Sequence, residues 1–232
     1  MTDSHKIVIV EDEAPVRALL HDVLIHAGME VRMAGDGQKG LAVIEEWPPD
    51  LVLLDHELPG GPTGLEVCSQ LRAEPATAHL PIIVLTGEMS EDVELSFLEA
   101  GADDYIRKSR RLKSAVLIGR INAVLRRTRP SGPEVIQTEH LTMHPGRREA
   151  LVDGQTLKLT PTEFDILYKL ATNPDRALSR RELLDRGEKD AEGVDRTVDV
   201  HVLSIRRKLG SKDWLVSTVW GVGYRLGAAP EA

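Results

Sequence analysis

The sequence predicts an α/β doubly wound (βα)5 domain followed by a smaller domain of short strands, three helices and a closing hairpin. Three observations carry this prediction. The first half alternates short apolar runs with segments whose apolar residues recur at helical spacing. The second half places turn dipeptides between short strands and then capping boxes before helices. Between them, Arg127-Thr128-Arg129-Pro130-Ser131-Gly132-Pro133 carries prolines that end a helix and donate no backbone hydrogen bond. The expected division is therefore residues 1–126, a linker at 127–134, and residues 135–228.

In the first half, Lys6–Val10 is a β-rich run, and Val16, Leu19, Leu20, Val23, Leu24 and Ala27 then form a helical stripe. A strand at 31–34 and a helix at 37–46 follow. Residues 50–54 read as a buried strand that stops at Asp55. Helix 64–72, strand 82–85, helix 91–100, strand 104–106 and helix 112–126 complete the alternation. Strands apolar on both faces, each followed by a helix, require a parallel sheet covered on both sides. Ligands of such sheets sit beyond the carboxyl ends of the strands.

In the second half, strands at 141–144, 149–152 and 156–159 are separated by Pro145-Gly146 and Asp153-Gly154. Thr160-Pro161-Thr162-Glu163 and Ser179-Arg180-Arg181-Glu182 are capping boxes, each opening a helix. A third helix is expected over 196–209, and residues 215–219 with 221–226 read as a hairpin. Three helices closed by a hairpin are the pattern of a winged helix-turn-helix.

Composition narrows the function. Aromatic residues are 3%, too few for a module that stacks nucleic-acid bases on aromatic platforms. One cysteine excludes a disulfide framework and a cysteine-based zinc cluster. The longest apolar runs are far short of a membrane span, and the N-terminus lacks the charged-then-apolar layout of a signal peptide, so no membrane partner and a cytoplasmic location are expected. The formal charge of -8 falls entirely within the first 128 residues, leaving the second half neutral and able to meet a polyanion if its cations share a face.

Glu11, Asp12 and Glu13 follow the first strand, Asp55 ends the third, Thr86 ends the fourth and Lys108 follows the fifth. In a parallel sheet these termini are neighbours, so Glu11, Asp12 and Asp55 should converge. Clustered carboxylates repel unless a cation joins them, and hard oxygen donors favour Mg²⁺. A metal, an ammonium, a hydroxyl and a carboxylate around one point suit a phosphoryl group, with Asp55 as nucleophile.

Val10-Glu11-Asp12-Glu13, Leu53-Leu54-Asp55 with Leu58-Pro59-Gly60, Thr86-Gly87 and Gly101-Ala102-Asp103-Asp104-Tyr105-Ile106-Arg107-Lys108 make residues 5–127 resemble a receiver domain of two-component signalling. The resemblance implies that Asp55 accepts phosphate from a sensor histidine kinase. It implies Glu11 and Asp12 as Mg²⁺ carboxylates, the Glu57 main-chain carbonyl as a further ligand, and Thr86 and Tyr105 as a switch pair. It also implies homodimerisation through the fourth helix, fifth strand and fifth helix, with Asp103, Asp104 and Arg120 in place. The sequence departs from the family pattern with Glu57 and Glu88 flanking the phosphoryl site, Ser109 after Lys108, Glu94 where a cation is usual, and Ala115 or Val116 where a Glu is usual.

On the third helix of the second half, Val198, Val202, Ile205 and Leu209 share a face expected to meet the core. Arg196, Val200, Leu203 and Arg207 point the other way, Thr197 and Ser204 lie beside them, and Arg206 and Lys208 lie on the flanks. Such a helix can enter a major groove, where Arg reads guanine and small apolar groups meet thymine methyls. Leu159-Thr160-Pro161-Thr162-Glu163-Phe164, Asp195-Arg196-Thr197-Val198-Asp199-Val200-His201-Val202, Arg206-Arg207-Lys208-Leu209 and Gly221-Val222-Gly223-Tyr224-Arg225-Leu226 resemble the DNA-binding domain of the winged-helix (OmpR/PhoB-like) response regulators. The resemblance makes the span from Arg196 to Lys208 the recognition helix, sends Arg225 to the minor groove, and sets Thr218 on a phosphate. In relatives the loop corresponding to residues 187–194 meets RNA polymerase.

The expected function is a DNA-binding response regulator, not an enzyme beyond self-phosphorylation and dephosphorylation at Asp55. The alternative is a phosphorylation-independent DNA binder whose receiver serves as a dimerisation or partner-binding module. A phosphatase lacks a further catalytic acid, and a dinucleotide-binding reading lacks glycine-rich phosphate chemistry after the first strand.

Overall fold

Residues 4–87, 91–108, 113–128, 135–184 and 194–227 are described by a computed structural model. Every expected βα pair of the first half forms: β1 (Lys6–Val10), α1 (Ala14–His26), β2 (Glu30–Ala34), α2 (Gly37–Glu46), β3 (Leu51–Asp55), α3 (Gly64–Ala73), β4 (Ile82–Thr86), α4 (Glu91–Glu99), β5 (Asp104–Arg107) and α5 (Ser114–Thr128). The strands lie in the order β2-β1-β3-β4-β5, all parallel. Strand alternation divides their side chains between two cores. Ile7, Ile9, Leu51, Leu53, Ile83 and Leu85 pack with α1 and α5. Val8, Val10, Val52, Leu54, Ile82 and Val84 pack with α2, α3 and α4. Cys68 lies in the second core, where burial pushes its thiol up to about 11, so it acts as a small hydrophobe.

The chain divides between Leu125 and Arg126 into two units. Helix α5 continues to Thr128, so Arg127 and Thr128 close a helix rather than open the linker as expected from the prolines. Residues 129–134 lie outside the described set.

The second unit begins with an antiparallel sheet in the order β6-β7-β8-β9, built from Ile136–Gln137, Leu141–His144, Glu149–Val152 and Gln155–Leu157. Asp153 and Gly154 both take positive φ (47° and 80°), the backbone that a tight hairpin turn requires. Helices α6 (Pro161–Ala171), α7 (Arg180–Leu184) and α8 (Val194–Leu209) follow. Strands β11 (Val216–Val219) and β12 (Gly223–Leu226) form the hairpin, and β10 (Leu178–Ser179) adds a third strand against β12. The two-residue strands β6 and β10 were not expected, because so short a segment shows no alternation to detect. The expected strand 156–159 sits one residue earlier and ends at Leu157. Among the described residues, no helix is long and apolar enough to cross a membrane.

Gly64, the first residue of α3, presses on the end of β3. A Cβ there would lie 2.1 Å from the Asp55 carbonyl and 2.9 Å from the His56 Cα, and neither backbone atom can swing aside. Gly64→Ala is expected to destabilise the first unit by about 3 kcal/mol, read as a lower urea midpoint for its unfolding transition.

Candidate functional site

The carboxyl ends of four neighbouring strands gather the acidic pocket. One oxygen each from Glu11, Asp12 and Asp55 lies within 4.8 Å of the others. Glu11 is fully buried and Asp55 is 2% exposed. The Lys108 main-chain N–H donates to the Thr86 carbonyl, which continues the β4–β5 pairing by one step and delivers the side chain over the pocket. Its Nζ stands 2.7 Å from Glu11 Oε2 and 2.7 Å from Asp55 Oδ2, and donates to Glu11 Oε1 at 2.9 Å. Arg17, in the second turn of α1, donates from Nη1 to the carbonyls of Glu11 (2.5 Å) and Asp12 (3.0 Å), fixing the acidic turn from behind. This last role is invisible to sequence reading, since Arg17 reaches main-chain atoms that any residue offers.

Burial pushes the Glu11 carboxyl up to about 7; the Lys108 hydrogen bond opposes this and the Asp55 charge adds to it. Burial lowers Lys108, but hydrogen bonds to Asp55 and Glu11 outweigh it and hold the ammonium above its usual range. The pocket is thus an all-oxygen donor set short of positive charge, and these residues fit a hard divalent cation such as Mg²⁺. The Glu57 N–H lies 3.4 Å from Asp55 Oδ1, while the Glu57 side chain is exposed and leans on His56 Nε2 at 3.3 Å. His56 Nδ1 stands 3.6 Å from Asp55 Oδ1, beyond hydrogen-bond reach. Thr86 is fully buried, and its hydroxyl has no hydrogen-bond partner among the described residues. Tyr105 is also buried, in the core shared with α4. Glu88 and Ser109 lie outside the described residues.

The expected pairing residues are turned inward. Asp103 is fully buried and accepts from Arg72 Nη2 at 2.8 Å and from the Ile82 N–H at 3.0 Å. Asp104, 2% exposed, accepts from the Tyr105 N–H at 2.6 Å and stands 3.7 Å from Arg120 Nη1. Arg120 donates to the Tyr105 carbonyl at 2.5 Å. These contacts brace β4, β5 and α5 within one chain. Glu94 is buried as well, at 4% exposure.

In the second unit, Val198, Val202, Ile205 and Leu209 enter the core as expected. The outward face is narrower than its spacing implied. Thr197 is fully buried and Val200 is 7% exposed, so neither presents itself to a ligand. The physical reason is that α8 packs on more than one side. Ser204 and Lys208 bond Glu163 on α6, and Arg206 bonds the hairpin. Leu203, Arg207 and, in part, Arg196 remain on the outward face, with Arg225 exposed on β12. Arg206 donates to the Val216 carbonyl (2.9 and 2.7 Å) and to Thr218 Oγ1 (2.9 Å). Arg180 and Arg206 lie 5.1 and 5.7 Å from the Tyr224 ring centroid. Asp199 receives Arg180 Nε at 2.6 Å and the Tyr224 hydroxyl at 2.7 Å. Trp220, in the hairpin turn, is 91% exposed, and Val222 is 47% exposed. Sequence reasoning passed over both, although a large apolar pair in a two-strand turn was a visible signal.

This pocket on a parallel sheet, followed by a winged helix, defines a two-domain regulator. The chain belongs to the response regulators: residues 7–120 match the response regulator receiver domain and residues 154–226 match the transcriptional regulatory protein C-terminal domain. It is a phosphorylatable DNA-binding transcriptional response regulator of the winged-helix, OmpR/PhoB-like subfamily. It is 41% identical over 225 residues to the phosphate regulon transcriptional regulatory protein PhoB of Pseudomonas aeruginosa, covering 95% of this chain and 96% of that one. It is 36% identical over 243 residues to the transcriptional regulatory protein ResD of Bacillus subtilis, covering 99% of each. Among solved structures, a RitR mutant shares the fold at a TM-score of 0.75 and 23% identity, covering 97% of this chain and 100% of the other. DrrB, a Thermotoga maritima OmpR/PhoB homologue, aligns at a TM-score of 0.51 and 25% identity, covering 97% of this chain and 100% of that chain.

Because Glu11 holds its proton more tightly folded than unfolded between 4.5 and about 7, the receiver loses stability as pH rises through that window. Without divalent cation, the urea stability of the wild type minus that of Glu11→Gln should fall by up to about 3 kcal/mol across it. A flat difference would refute the raised Glu11.

Proposed function

We propose that Asp55 accepts a phosphoryl group from a phosphohistidine of a sensor histidine kinase, and that the phosphorylated regulator pairs as a homodimer on double-stranded DNA. The observation that carries this reading is the Lys108 ammonium, 2.7 Å from both Glu11 and Asp55 at the carboxyl edge of the sheet. An Asp55 carboxylate oxygen attacks phosphorus, the P–N bond to the kinase imidazole breaks, and its electron pair returns to the ring nitrogen. Glu11, Asp12, Asp55 and the Glu57 carbonyl would hold Mg²⁺, which when bound would neutralise the phosphoryl oxygens. Lys108 pairs with a phosphoryl oxygen in place of the Asp55 carboxylate. Thr86, buried with its hydroxyl unpartnered, donates to another, and Tyr105 on the adjacent strand responds to that shift. The phosphoryl chemistry acts on the regulator's own Asp55 and turns over no external substrate.

On DNA, Arg207 and Arg196 approach base edges from the recognition helix α8, with Leu203 against a thymine methyl, and Arg225 enters the minor groove. Thr218 accepts from Arg206, which leaves its own proton to donate to a phosphate. Repression needs DNA binding alone. Activation adds a contact with RNA polymerase, expected through residues 187–194, of which only the last falls within the described set.

Light-scattering mass with Mg²⁺ and beryllofluoride, a mimic of phospho-Asp55, tests the switch. The expected result is a monomer that becomes a dimer, and no change for Asp55→Ala. An unchanged mass with the mimic bound would favour a partner-gated or constitutive DNA binder. Arg207→Ala and Arg225→Ala should each weaken operator binding by about 1–3 kcal/mol, measured by titration at fixed salt.

A further inference from the structure

Glu163 is the third residue of α6 and is 1% exposed. Its Oε2 accepts from the Thr160 N–H at 2.7 Å, the back half of a capping box. A cap needs one oxygen, which a glutamine also offers. Here both oxygens are engaged from α8 as well: Ser204 Oγ donates to Oε1 at 2.6 Å, and Lys208 Nζ donates to Oε2 at 2.5 Å. Ser204 and Lys208 lie one turn apart on the flank of α8 that packs against α6, and the Lys208 side chain is 33% exposed.

We propose that Glu163 is a positioning residue for DNA binding, which ties down this flank of the recognition helix and withholds the Lys208 charge and the Ser204 hydroxyl from DNA phosphates. The inference rests on the DNA-binding role of α8. A buried carboxylate left unpaired is costly, so Lys208 is held where the protein needs it. An ammonium committed to a carboxylate releases no counterion from DNA, so α8 meets the duplex with one cation fewer than it carries. On this proposal Ser204 and Lys208 face Glu163 rather than DNA phosphates.

The test uses the full chain and a mixed-sequence DNA duplex, with log binding constant plotted against log salt concentration. Glu163→Gln keeps the cap but not the charge. It should steepen the slope by about 0.9 and tighten binding roughly tenfold near 0.1 M salt. Glu163→Gln with Lys208→Gln should restore the wild-type slope. A merely structural role predicts weaker binding, so an unchanged or shallower slope overturns the proposal. If the wild type itself fails to bind the duplex, the DNA-binding role falls and the proposal with it. Should Glu163→Gln not fold, acetylation of wild-type lysines read by mass spectrometry decides. Lys208 should label slowly, and equally with and without DNA, whereas rapid labelling suppressed by DNA overturns the proposal.

Discussion

The first unit depends on one ammonium between two carboxylates. Glu11, one residue past β1, and Asp55, the last residue of the adjacent β3, are buried at the edge where parallel strands place all their ends together. Their repulsion would oppose the pairing of β1 with β3 were Lys108 not delivered between them. The delivery is a main-chain matter: one hydrogen bond beyond the end of β5 sets the side chain over the pocket. The same contact makes the site responsive, because any group that adds negative charge at Asp55 changes what Lys108 holds.

Much of this arrangement was legible in the sequence. Apolar runs of strand length separated by helical stripes identify a parallel sheet, and the sheet itself dictates that Glu11, Asp12, Asp55, Thr86 and Lys108 converge. What could not be read was anything depending on side-chain direction at the sheet's far edge. Asp103 and Asp104 look like surface charges, since nothing in their neighbourhood announces that Arg72, 31 residues earlier than Asp103, will reach up from α3 to cover one of them. Arg72 also donates to the carbonyls of Ala78, Leu80 and Gly101, so one guanidinium ties the approach to β4 to the approach to β5.

In the second unit the same limit appears on α8. Its core stripe follows from the 3.6-residue period, and Val198, Val202, Ile205 and Leu209 are where that period puts them. The opposite stripe does not follow, because a helix embraced by a second helix and a hairpin buries more than one face. Helical angle alone places Val200 outward with Thr197 beside it, yet both are buried. The capping boxes, by contrast, are local, and both close as their four-residue patterns imply.

Arg206 binds the hairpin at both Val216 and Thr218 while lying over the Tyr224 ring, and Asp199 ties Tyr224 back to the helix. Recognition helix and wing are thereby joined through side chains that neither element can release singly. A wing so mounted cannot adjust to a poor minor-groove sequence while the helix stays seated in the major groove. Errors in the two halves of a binding site are then not independent: the first forces the joined piece off its register, and the second finds little left to lose. On the docking proposed above, sequence preference would accordingly be a property of whole half-sites, and tables of separately scored bases would misjudge doubly altered ones.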